Sequence, residues 1–161
     1  MRKHLLALPL AAAFALALAA PALAVDEVNV STGATIAGPG LAVHGHDVVA
    51  YFTDGTPTVG SDELAHVHDG ATYRFASQAN LDAFKADPAK YAPAYGGFCA
   101  YGVAVGKKFD GDPRFWKVVD GRLYLNLNGD IQAKWVEDIP GNIAEAVVNW
   151  AEIRSVAVDQ L

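Results

Sequence analysis

The chain has 161 residues, 52% hydrophobic and 19% charged, with a formal charge of −6 and a single cysteine. That length builds one modest core and excludes an enzyme with separate cofactor and substrate domains. The lone Cys99 excludes an intramolecular disulfide, and no C-x-x-C-H run exists to attach a c-type haem.

Arg2, Lys3 and His4, the Leu/Ala run Leu5 to Ala20, and Ala22-Leu23-Ala24 have the order of a secretory signal peptide, cut after Ala24. Pro9 and Pro21 interrupt a run already short for a spanning helix, so no stable membrane insertion is expected after cleavage. The expected location is periplasmic or secreted. Loss of Arg2 and Lys3 carries the charge from −6 to −8, which disfavours nucleic acid and anionic lipid.

Residues 25–40, rich in Ser, Thr, Gly and Val, read as an N-terminal arm, and residues 41–161 as one domain. Val48, Val49, Tyr51 and Phe52 suggest a first buried strand, closed by Asp54-Gly55. Leu64–His68 and Ala71–Phe75 flank Asp69-Gly70, a hairpin turn placing His68 opposite Ala71, His66 opposite Tyr73 and Leu64 opposite Phe75. Ser77 is the expected N-cap of a helix carrying Leu81 and Phe84, and Asp87-Pro88 restarts a helical turn. Phe98–Val105 reads as a buried strand or turn, and the lysines of Gly102–Lys108 as part of a solvated turn.

A second hairpin, Phe115–Val119 with Arg122–Leu125, turns at Asp120-Gly121. A helix over Gly129–Asp138 follows, then one opened by Pro140 in which Ile143, Val147, Trp150 and Ile153 recur at helical spacing. Asp69-Gly70, Tyr73 and Phe84 share offsets with Asp120-Gly121, Tyr124 and Trp135, as a duplicated hairpin-helix unit would. The expected fold is a small α+β domain of antiparallel hairpins packed with short helices.

His44–Phe52, Gly70–Ser77, Phe84, Pro88–Tyr91 and Tyr95–Ala100 together resemble a secreted YHS domain protein, and Gly121–Asn126, Trp135 and Asn149-Trp150 extend the likeness. The resemblance implies a link to metal handling, carried in cysteine-bearing members by a pattern close to D-P-V-C-G followed by Y-x-F-C-S-x-x-C. In this chain Ala50, Ala76 and Asn80 stand at the three cysteine positions, so that ligand set does not carry over.

The remaining candidate metal ligands are His44, His46, His66, His68 and Cys99. Each H-x-H pair projects both rings from one face of an extended strand, and imidazole suits copper(II), zinc or nickel. Alternatively, the rings meet water on a half-exposed hairpin and a loop. Cys99 reads as a small buried hydrophobe, a ligand for copper(I) or zinc, or a catalytic thiol, although no hydrolase signature surrounds it. The aromatics Tyr73, Phe75, Tyr91, Tyr95, Phe98, Tyr101, Trp116 and Tyr124 are expected mostly in the core. The functional expectation is a non-catalytic binding module for a transition metal (copper or zinc) or a small ligand. The alternatives are a metal-free interaction domain docking on an envelope protein, and a thiol enzyme using Cys99.

Overall fold

The computed structural model describes residues 27–30, 34–35 and 38–161. The expected leader and much of the expected arm lie outside them. Three antiparallel strand pairs and six α-helices are present among the described residues, an α+β arrangement. Strands β1 (Ala34–Thr35) and β2 (Gly38–Gly40) form a minimal pair.

The rest is one plan executed twice. In the first unit a 3-10 turn at Ala42–Gly45 leads to α1 (Ala50–Thr53), the hairpin β3 (Ser61–His68) and β4 (Ala71–Phe75), α2 (Gln78–Ala86) and α3 (Pro88–Tyr91). In the second a 3-10 turn at Ala94–Gly97 leads to α4 (Ala100–Ala104), β5 (Asp112–Val119) and β6 (Arg122–Asn126), α5 (Gly129–Glu137) and α6 (Ile139–Ile153). The agreement extends to detail. Both 3-10 turns place non-glycine residues in the left-handed region, Val43 and His44 in one and Tyr95 in the other. Both hairpins turn on an Asp-Gly with positive φ at both residues. Both carry a register shift at the same place, between Ser61 and Ala65 and between Asp112 and Trp116. Ser77 and Asn128 cap the nine-residue helices, and Asp87 and Asp138 cap the next.

The pairing of His68 with Ala71 and His66 with Tyr73 is as the turn dictates. Phe75, however, pairs with Ser61 rather than Leu64, because the bulge absorbs the intervening residues. The apolar run at 48–52 is a turn leading into α1, not a strand, and the Asp47 carboxylate accepts from the amides of Val49 and Ala50 where the helix begins. Apolar runs this short do not distinguish the two by periodicity. Phe98–Val105 likewise becomes helix α4 after a single parallel bridge between Cys99 and Leu125.

Two cores flank β6. Leu123 and Leu125 pack with Val43, Val48, Tyr73, Phe75 and Phe84, while Tyr124, on the opposite face, packs with Phe98, Val103, Trp135 and Ile153. Alternation along one strand therefore joins the units. Tyr51 adds a cross-tie, donating to the Pro113 carbonyl at 3.0 Å and meeting Trp116 edge-on. Of the expected core aromatics, Tyr91, Tyr101 and Trp116 are only partly buried.

Gly60 and Gly111 occupy the same place in the two units, just before the first strand of each hairpin. A Cβ at Gly60 would run into the Arg74 carbonyl and the Phe75 amide, and one at Gly111 into the Gly97 carbonyl and the Leu125 side chain. Gly60→Ala and Gly111→Ala should each cost at least about 2 kcal/mol in denaturant unfolding. Gly70→Ala, which meets open space at a positive φ, should cost only about 1 kcal/mol.

Candidate functional site

Asp47 is fully buried, and its carboxylate accepts four hydrogen bonds. Oδ1 accepts from the amides of Val49 (2.9 Å) and Ala50 (3.3 Å). Oδ2 accepts from the Ala76 amide (2.8 Å) and from Asn80 Nδ2 (2.7 Å). Its own amide donates to the Thr58 carbonyl at 2.8 Å. One side chain thus ties α1, the end of β4 and the first turn of α2 together. A buried carboxylate is tolerable only with such satisfaction.

Cys99 stands at the corresponding point of the second unit. Its amide donates to the Phe109 carbonyl at 2.9 Å, as that of Asp47 does to Thr58. Its sulfur caps α4, accepting from the Gly102 amide at 3.4 Å, and the amides of Leu127 and Tyr101 also bear on it. Tyr101, Gly102 and Leu127 correspond in the repeat to Val49, Ala50 and Ala76, so the thiol occupies the amide cradle that holds a carboxylate in the first unit. The thiol also donates to Asn126 Oδ1 at 3.8 Å, within the weak range for sulfur, while the fully buried Asn126 Nδ2 has no hydrogen-bond partner. Burial pushes the Cys99 thiol up, against a smaller opposing pull from the amides.

His44 lies in the strained turn and His46 directly follows it, so this pair does not sit on an extended strand as expected. His44 Nε2 lies 2.9 Å from Asp110 Oδ1, which also accepts from Asn29 Nδ2 at 2.7 Å. Asn29 in turn bonds the carbonyls of Gly96 and Gly97, so this residue of the arm links both left-handed turns. The left-handed φ of Val43 and His44 costs on the order of 1 to 3 kcal/mol per residue, and it carries His44 to Asp110. His46 pairs with Val59, and burial lowers its pKa. His66 and His68 share a face of β3, and both rings meet Phe84 edge-on, at 6.2 and 5.6 Å between centroids. His68 also lies 3.3 Å from Asp69.

The Cys99 sulfur sits between the Gly102 amide and Asn126 Oδ1. Among the described residues, no three His, Cys, Asp or Glu side chains gather as a metal site would require. Lys108, expected in a solvated turn, is buried: its ammonium donates to the carbonyls of Arg154 (2.8 Å) and Val156 (2.7 Å) and lies over Phe98 and Trp150. It lines a cleft of about 240 Å³ with Asn29, Phe98 and Asp110.

Asp47, Asn29 and Lys108 were not legible as site residues. Only Asp47 had a local signal, an Asp two and three residues ahead of buried amides that it can cap.

Residues 49–95 match the family model of the YHS domain, so the chain carries a YHS domain over that segment, which covers the first unit from just before α1 through α3. No curated protein and no solved structure matches the chain. The YHS match is the finding that suggests a metal-related role for this segment. No helix among the described residues is long and apolar enough to cross a membrane.

Asp47→Ala would strand several buried donors and should cost about 3 kcal/mol or more, whereas Asn80→Ala, which removes one donor of the set, should cost about 1 to 2 kcal/mol, both read by urea unfolding. Because the Cys99 thiol is buried and its pKa raised, iodoacetamide at pH 8 should leave it unmodified in the native protein and label it fully after denaturation.

Proposed function

We propose that the protein is an exported, non-catalytic binding module of YHS type whose core stands without a metal at the family's cysteine positions. The observation that carries this is the Asp47 network. Ala50, Ala76 and Asn80, the residues at the three cysteine positions, each donate to that one carboxylate. A charge-assisted hydrogen-bond cluster thus supplies the cross-linking that a bound ion supplies elsewhere. Export rests on the leader sequence of residues 1–24.

Copper or zinc handled by this protein is then held at the surface by a histidine pair. His66 and His68 are the better placed, since both rings project from one face of β3 and are steadied by Phe84. A second reading, the metal-free interaction domain of the cell envelope, is favoured by the outer face of α6, where Val147 and Val148 are exposed. The thiol-enzyme alternative is disfavoured by the burial of Cys99.

Chelation tests the reading. The mature protein treated with EDTA should contain no stoichiometric metal and keep its unfolding midpoint within about 1 °C. A fall of more than about 5 °C, reversed by zinc or copper, would contradict it. Copper(II) titration should show weak binding that the variant with His66→Ala and His68→Ala loses.

A further inference from the structure

The second unit departs from the first at one element. Asp87 caps α3, which ends after four residues, whereas Asp138, at the same point of the repeat, caps α6, which runs for fifteen. The inner side of α6 is accounted for: Ile143, Ala146, Trp150 and Ile153 pack in the second core, and Asn149 Nδ2 donates to the carbonyls of Val103 and Ala104. Val147, expected beside Ile143 and Trp150, points the other way and is 59% exposed, with Val148 at 60%.

Among the described residues the outer side has no such partner. Pro140, Ala144, Val147 and Ala151 are exposed and fall within an arc of about 60° at 100° per residue, over about 16 Å of helix. Val148 widens this stripe, and the exposed Glu145 and Glu152 border it on that side. No Lys or Arg occurs between Ile139 and Ile153, and Arg154, just beyond, faces Glu27 at 3.7 Å. By contrast α2 exposes Gln78, Asp82 and Lys85, an ordinary solvated face. An apolar stripe edged by charge of one sign has the pattern of a helix-docking face rather than of a helix evolved to meet water.

We propose that the outer face of α6 docks a basic amphipathic helix of another protein, its apolar residues seated on Ala144, Val147, Val148 and Ala151 and its Lys or Arg side chains against Glu145 and Glu152. The inference rests on the interaction-domain reading and not on any metal. Charge selects the occupant. An anionic bilayer is repelled by the same carboxylates, and a second copy of the chain would bring Glu145 and Glu152 against their own counterparts. A basic helix satisfies both parts of the face, with ridge-into-groove packing on small residues that let it approach closely.

The test uses the mature chain and a synthetic amphipathic peptide of about 18 residues, leucine on one face and lysine on the other. Isothermal titration should give saturable binding in the micromolar range, weakened by salt, with amide shifts confined to the outer positions of α6. The variant with Val147→Asn and Val148→Asn and the variant with Glu145→Lys and Glu152→Lys should each bind at least about tenfold more weakly while keeping the wild-type unfolding midpoint within a few degrees. The proposal is overturned if a scrambled peptide or a leucine/glutamate peptide binds as tightly. It is also overturned if either variant binds like the wild type, or if sedimentation shows a wild-type dimer that the asparagine variant dissociates. The chelation result is independent of all these outcomes, so failure here leaves the metal question where that experiment puts it.

Discussion

A single buried carboxylate organises the first half of this molecule. Asp47 accepts hydrogen bonds from four donors at the start of α1, the end of β4 and α2, the farthest, Asn80, lying 33 residues along the chain. Removing such a charge from water is costly, and only complete satisfaction makes it a net constraint rather than a penalty. Three of the four donors, Ala50, Ala76 and Asn80, stand where the resemblance puts ligand cysteines, so in this chain hydrogen bonds to one carboxylate tie those positions together without sulfur. The hairpin and its aromatic residues then close over the cluster, with Tyr73 and Phe75 each in contact with Phe84.

The second half repeats the plan with a different group at its centre. Cys99 sits where Asp47 sits, faced by the equivalent amides, and Asn126 stands beside it. A neutral sulfur is a weaker acceptor than a carboxylate, and the second unit compensates with apolar packing: Trp135 and Val103 are fully buried, and α6 closes the core from outside. The family match stops at residue 95, yet the bulge, turn, caps and close-packed glycine all recur beyond it. The repeat is therefore one of backbone architecture, retained after its side chains diverged.

Much of this was legible in the sequence because the signals are local. Asp-Gly between alternating strands, Ser77 before a helix and Asp87-Pro88 each act over a few residues, and each acts as expected. The errors came where tertiary context decides. Val48 to Tyr51 are all buried, so neither period shows, and the Asp47 carboxylate holds the Val49 and Ala50 amides where α1 begins. Phe75 lost its expected partner to a bulge that leaves no mark in composition. Lys108 is buried because two carbonyls from beyond α6 reach it, 46 and 48 residues away. For the site, spacing singled out the H-x-H pairs and the lone cysteine, but it does not report convergence. Asp110 meets His44 and Asn29 across the fold, and Cys99 lies among amides rather than imidazoles.

The equivalence of the two cradles is the claim on which this account stands, and the stability of Cys99→Asp tests it most directly. If Tyr101, Gly102 and Leu127 form the same amide cradle as Val49, Ala50 and Ala76, the new carboxylate is held as Asp47 is, beside Asn126, whose buried Nδ2 lacks a hydrogen-bond partner. The variant should then unfold within about 1 kcal/mol of the wild type at pH 7. A loss of about 3 to 5 kcal/mol at pH 7, the signature of an uncompensated buried charge, would contradict the account.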